Sequence, residues 1–258
     1  MSLARSCGGA ALLTVVAVTW STVALAQDRL VVSRPVAREI GARDTHVYVV
    51  DLNLGDRAFI SVVEDGGIEA ALFLPSGQAL RREPPAGPDG EKDFQITAEA
   101  SGAYRIELTP AAKMSATYEI QLDGLATAAE RSSPRRASTA EELQAGKPTA
   151  DDLRLLQRAD ELLSSPARWD RHDTRICLPT ATSVSLYCAL QKASLELFGE
   201  YGHRAIALEE VRFAIEDVTD GRRFSHRLKD FNNLPSTEFR DVKTVLTIAI
   251  HRIRKRLG

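Results

Sequence analysis

Hydrophobic and polar positions change period once along the chain. From Leu30 to Leu122 apolar residues alternate in short runs closed by Gly, Pro, Asn and Asp, the spacing of half-buried antiparallel strands. Predicted strands cover His46 to Asn53, with Val47 and Val49 on one face and Tyr48, Val50 and Leu52 on the other, then Arg57 to Glu64 and Glu69 to Leu74. Phe94 to Ala98, Tyr104 to Leu108 and Tyr118 to Leu122 complete the series. The turns between them fall at Gly55-Asp56, Asp65-Gly66-Gly67, Pro75-Ser76-Gly77 and Ser101-Gly102. Many short strands with this punctuation predict a β-sandwich.

After Thr149 the period becomes three to four. Leu153, Leu156, Ala159, Leu162 and Leu163 predict a helix that Thr149 caps, with Asp151 and Asp152 in its first turn and Ser164-Ser165-Pro166 at its end. A second helix, from about Thr182 to Phe198, is apolar around most of its circumference, which places it in the middle of a packed group. Leu208, Val211, Ile215 and Val218 mark a third. Phe239, Val242, Leu246, Ala249, Ile250, Ile253 and Leu257 mark a fourth, preceded by Asn232-Asn233-Leu234-Pro235 as a stop and by Ser236 or Thr237 as a cap. The predicted fold is two domains: an all-β, jelly-roll-like sandwich at 29–124 and an all-α four-helix bundle at 149–258. Between them, 125–148 is rich in Ala, Ser, Thr, Glu, Arg and Pro and reads as a flexible linker.

The first 26 residues stand apart from both. Arg5, the apolar run Ala10 to Val18 and Ala24-Leu25-Ala26 have the layout of a secretory signal peptide cut before Gln27. The expected location is therefore export to the periplasm or beyond, with no transmembrane segment left after cleavage. Of three cysteines, Cys7 lies in that leader, so Cys177 and Cys188 are a candidate disulfide in an oxidising compartment, or else two buried thiols. A formal charge of −2 provides no general attraction to nucleic acid. The basic end of the last helix, His251, Arg252, Arg254, Lys255 and Arg256, complements the helix dipole, with anionic lipid as the other reading.

Two resemblances add to this pattern. Val-Tyr-Val-Val-Asp-Leu-Asn-Leu-Gly-Asp (47–56), Leu-Phe-Leu-Pro-Ser-Gly (72–77), Ala-Ser-Gly-Ala-Tyr-Arg-Ile (100–106) and Thr-Tyr-Glu-Ile-Gln-Leu (117–122) resemble the bacterial pre-peptidase C-terminal sandwich. The likeness implies a non-catalytic accessory domain that binds, positions or protects something else. Some relatives of that fold hold a hard cation before the third strand, but here the position carries a single carboxylate, Glu69. In the second half, His-Arg-Leu-x-Asp-Phe-Asn-Asn-x-Pro-x-Thr-x-Phe-x-Asp-Val (226–242) with Ser-Leu-Tyr-Cys-Ala-Leu (185–190) is similar to an uncharacterised bacterial helical family.

Polar side chains concentrate at 226–237. His226, Arg227, Asp230, Asn232 and Asn233, with Trp169 and Asp170 from the loop at 168–175, form the candidate polar site if the two loops meet. His226 and Asp230 lie four apart and share a helix face. The five histidines show no metal-ligand spacing, and nucleophile-elbow, zinc-protease, phosphate-loop and Cys-x-x-Cys motifs do not occur. No cofactor or metal is expected. The expected function is a non-enzymatic binding or accessory protein, its sandwich contacting a protein or cell-envelope polymer and its helical bundle docking a partner. The alternative is a small-molecule-binding protein or hydrolase-like enzyme built around His226, Asp230, Asn232 and Asn233.

Overall fold

The computed structural model describes residues 27–86, 90–111, 114–129, 146–202 and 205–258. The signal peptide expected at 1–26, and 130–145 of the expected linker, lie outside the described residues.

Nine strands form the N-terminal half: β1 (Gln27–Arg29), β2 (Val36–Ile40), β3 (His46–Leu52), β4 (Arg57–Asp65), β5 (Ile68–Phe73), β6 (Ala79–Glu83), β7 (Gly90–Thr97), β8 (Gly102–Pro110) and β9 (Ala116–Ala126). They make two sheets, ordered β1-β3-β8-β5-β6 and β2-β9-β4-β7. Pairing is antiparallel except between β1 and β3. All six strands read from the alternation are present. β1, β2 and β6 were not legible, because Val36-Ala37-Arg38-Glu39-Ile40 and Ala79-Leu80-Arg81-Arg82-Glu83 carry too few apolar residues to alternate. They are peripheral strands, held by backbone pairing to β3, β9 and β5 respectively. Tyr48, Val50, Ile60, Val62, Phe94, Ile106, Tyr118 and Ile120 fill the space between the sheets. At the Ser101-Gly102 turn, Gly102 has φ +146°, and a Cβ there would meet Pro75 at 2.8 Å, so glycine is required.

Among the described residues from 146 on there are five α-helices: α1 (Ala150–Leu162), α2 (Leu186–Phe198), α3 (Ile206–Val218), α4 (Arg227–Asn233) and α5 (Phe239–Leu257). Four were expected; the extra one is the short α4, folded from the residues read as a turn. Thr149 caps α1 as predicted, in a reciprocal capping box with Asp152. Helix α2 starts at Leu186 rather than near Thr182, because Ser185 accepts from Cys188 N and so forms the cap. It ends at Gly199 in the left-handed region, φ +74°. Helix α5 is capped by Glu238 with Asp241; Thr237, expected in that role, instead donates its hydroxyl to Phe231 O. α1 packs on α2, α3 and α5, and α4 bridges α2 and α3. Their interior is a separate apolar cluster containing Leu156, Leu190, Leu208, Val211, Leu246 and Ile253.

The helical half rests on the second sheet along β9. In β9 the inward side chains Tyr118, Ile120 and Leu122 alternate with Glu119 and Gln121, which a half-buried sheet would expose to water. Both are only 4% exposed. Helix α2 lies between this face and the helical core, the physical reason for its apolar circumference.

Candidate functional site

The centre of the helical half is the loop between α1 and α2. It leaves α1 through the short 3-10 turn Pro166–Arg168 and is closed at its base by an isolated bridge between Trp169 and Val184. Asp170 N donates to Val184 O (2.9 Å) and Val184 N to Arg168 O (2.8 Å). At its far end Cys177 is bonded to Cys188 in the first turn of α2, with Cα atoms 5.3 Å apart. The disulfide is thus present, and closing so short a loop contributes about 3 kcal/mol in the chain-entropy picture.

Two asparagines at the end of α4 fasten the loop from the side. Asn232, with no exposed surface, accepts from Trp169 Nε1 (2.8 Å) and Leu186 N (3.1 Å) on Oδ1 and donates Nδ2 to Asp170 O (3.0 Å). Asn233 accepts from Asp173 N (2.7 Å) and donates to Asp173 O (2.9 Å), mimicking one rung of a β-ladder. Arg171 adds a bond to Leu234 O (3.0 Å). The two loops meet, and Trp169, Asp170, Asn232 and Asn233 come together as a clasp whose donors and acceptors face one another. Trp169 also stacks obliquely on Phe239, ring centres 6.2 Å apart.

His226, Arg227 and Asp230 stand at the opposite end of α4. His226 is exposed, and Asp230 accepts from its backbone N (2.9 Å), so the carboxylate caps the helix and does not orient the imidazole. Arg227 pairs with Glu216 at 3.0 Å. Both His226 and Arg227 line a cavity of about 370 Å³ together with Arg175, Arg212, Lys229 and Phe224. Two of its cations are already paired, Arg212 with Glu209 of the same lining (2.6 Å) and Arg175 with Glu91 of β7 (3.0 Å). The candidate polar site is thus divided between the clasp and this cavity, with α4 between them.

A second, more apolar cleft of about 350 Å³ lies between the 170–185 loop and α2. Ile176, Leu178, Val184 and Leu195 and the disulfide form its walls. Asp173 is among its lining groups and is 2% exposed; Oδ1 accepts from Arg175 N (2.7 Å), whereas Oδ2 has no hydrogen-bond partner. Burial pushes its carboxyl up to about 6, against the pull of the Arg175 amide, the nearby Ser185 hydroxyl and the charges of Lys229 and Arg175. Arg175 itself sits at φ +64°, a conformation that costs a β-carbon-bearing residue about 1 kcal/mol.

The loop is also anchored to the sandwich by a residue the sequence did not single out. Glu119 of β9 accepts from Cys177 N (3.1 Å) and from Gln191 Nε2 of α2 (2.7 Å). Burial raises its carboxyl to about 7 despite those two bonds. The only signal was a charged residue at an outward position of an otherwise apolar strand, which usually means solvent. The basic end of α5 is partly used internally, Arg252 with Asp217 and Arg256 with Glu210. Among the described residues no three His, Cys, Asp or Glu side chains cluster as a metal site would require, and no helix is long and apolar enough to cross a membrane.

Residues 147–252 match the model of a family described as a family of unknown function, DUF6197. The N-terminal half is similar to the pre-peptidase C-terminal domain of a collagenase from Bacillus anthracis, at 19% identity over 39% of this chain and 95% of that one, with a TM-score of 0.32. Also similar are PliG of Aeromonas hydrophila, a periplasmic inhibitor of g-type lysozyme (17% identity, 38% of this chain and 100% of that one, TM-score 0.28), and CorA of Methylomicrobium album BG8, a surface-associated copper-binding protein (7% identity, 38% and 98%, TM-score 0.30). No curated protein matches the chain. Both resemblances read from the sequence thus have counterparts: a pre-peptidase C-terminal domain for the first half and an uncharacterised family for the second.

Proposed function

We propose that this chain is an exported, non-enzymatic binding or accessory protein. In this reading a jelly-roll-like sandwich contacts a protein or envelope polymer, and the long helices act as one bundle that docks a partner through the cleft beside the disulfide. The observation that carries the reading is how the loop at 166–185 is built. A backbone bridge, two asparagines, a disulfide and a carboxylate from β9 hold one loop over one apolar cleft. A surface held this way loses little entropy when something docks on it. Trp169, Asp170, Asn232 and Asn233 serve as the brace, and His226, exposed at the far end of α4, stands apart from the docking surface. The disulfide favours an oxidising compartment as the place of work. The printed descriptions of the neighbours, an accessory domain and a periplasmic inhibitor, are compatible with that location.

The test is capture from envelope extracts with the oxidised, full-length mature chain. A component retained by the wild type and by His226→Ala, but lost with Ala181→Trp at the cleft mouth, supports the reading. Retention that Ala181→Trp leaves unchanged overturns it.

A further inference from the structure

We propose that the cleft between the 170–185 loop and α2 takes a lysine or arginine side chain of a partner polypeptide, its stem along the apolar walls and its cationic tip at Asp173. The inference rests on the binding reading above and names the chemistry of what enters. Three observations support it. First, the size suits a side chain: about 350 Å³ is at the small end for ligand pockets. Second, Ile176, Leu178, Val184 and Leu195 give the lining an apolar part on which the methylene stem of a long cation can lie.

Third, the groups placed for recognition are acidic. The lining includes Asp170, Asp173 and Glu196 against Lys192. Glu196 is shared with Arg158 (2.8 Å) and Asp170 accepts from His172 N (2.8 Å), so both are partly satisfied at the mouth. Asp173 differs: its Oδ2 is buried and makes no hydrogen bond, although the Ser185 hydroxyl stands near the carboxyl. A buried oxygen without a partner is destabilising, and an entering ammonium or guanidinium would provide a charge-assisted hydrogen bond there. Arg175 and Lys229 act on Asp173 through their charge, and neither hydrogen-bonds Oδ2.

The experiment is titration calorimetry of the oxidised full-length mature chain with short capped peptides. The probes are Gly-Leu-Arg-Leu-Gly, its lysine and glutamate counterparts, the isosteric but uncharged citrulline peptide, and free agmatine. The arginine and lysine peptides should bind roughly tenfold or more tightly than the citrulline and glutamate peptides, the worth of one buried charge-assisted bond. Asp173→Asn should remove that preference, and Ala181→Trp should abolish binding with the melting temperature unchanged. Equal binding of arginine and citrulline peptides, no binding of any peptide, or a cation preference that survives Asp173→Asn overturns the proposal. Agmatine binding as tightly as the arginine peptide also overturns it, assigning the cleft to free amines. If the peptides fail while envelope capture stays sensitive to Ala181→Trp, the ligand class falls and the binding function stands.

Discussion

At the scale of single residues, the chain uses its polar side chains more for construction than their density suggests. Asn232 makes four hydrogen bonds at zero exposure, two of them accepted from donors that have lost their water, Trp169 Nε1 and Leu186 N. Replacing it with alanine leaves those two donors unpaired at about 1 to 3 kcal/mol each, so Asn232→Ala should destabilise the protein by about 2 to 6 kcal/mol in urea unfolding. His226→Ala, at an exposed position, should stay within about 0.5 kcal/mol.

Glu119 makes a pH prediction. Its carboxyl is held at about 7 in the folded chain against an ordinary 4.5, so the native state binds more protons than the unfolded one between those values. Its contribution is fully present below about pH 4.5 and is lost as pH rises through about 7. Asp173, raised from 3.8 to about 6, acts in the same direction in a lower window. Stability should therefore fall by up to about 3 kcal/mol on Glu119's account between pH 4.5 and 7.5. Glu119→Gln should flatten that slope, since Gln191 can turn its amide to accept; an unchanged slope in urea titrations at several pH values would refute the assignment.

At the scale of elements, strands β4 and β7 are joined by more than their ladder. Glu64 has no exposed surface and pairs with Lys92, and Lys92 Nζ also donates to Ile68 O (2.8 Å). Removing one partner strands a buried charge, so Lys92→Met should cost about 3 to 5 kcal/mol. The double variant Glu64→Gln with Lys92→Met should recover much of that loss, because two neutral groups no longer oppose desolvation. A double variant as unstable as the single would show that packing, not charge, holds the site. Neither residue was legible in the sequence: Glu64 ends a predicted strand where polar residues normally meet water. Periodicity did identify six of the nine described strands and the four long helices, whose patterns are repeated over many residues. It missed α4, whose seven residues are too few to establish a period and which is held by Leu228 and Phe231 in the core.

At the scale of the whole molecule, two apolar interiors are joined through a polar interface. Glu119 with Cys177 and Gln191, Glu91 with Arg175, Arg34 with Gly199 O and Tyr201 N with Ser33 O all cross from sandwich to helices. Because each half has its own core, residues 27–129 and 146–258 produced separately should each unfold cooperatively. The helical piece should melt several degrees below its value in the intact chain, since losing about 1 kcal/mol of interface shifts a domain of this size by roughly 4 to 8 °C. A piece without a cooperative transition by calorimetry would mean that the halves fold as one unit.

The amino-acid order by itself determined the division into an alternating half and a helical half, the central strands, the long helices and most of their ends. These follow from local sterics, caps and a burial period that each segment carries within itself. Only the tertiary structure decided which faces are covered. It turned Glu119 from a solvent-facing strand residue into a buried anchor, hydrogen-bonded Asn232 and Asn233 to the loop that follows Trp169, bonded Cys177 to Cys188 and left Asp173 beside an open cleft. Each of those outcomes depends on which distant surface packs against a residue, and no pattern within its own segment encodes that.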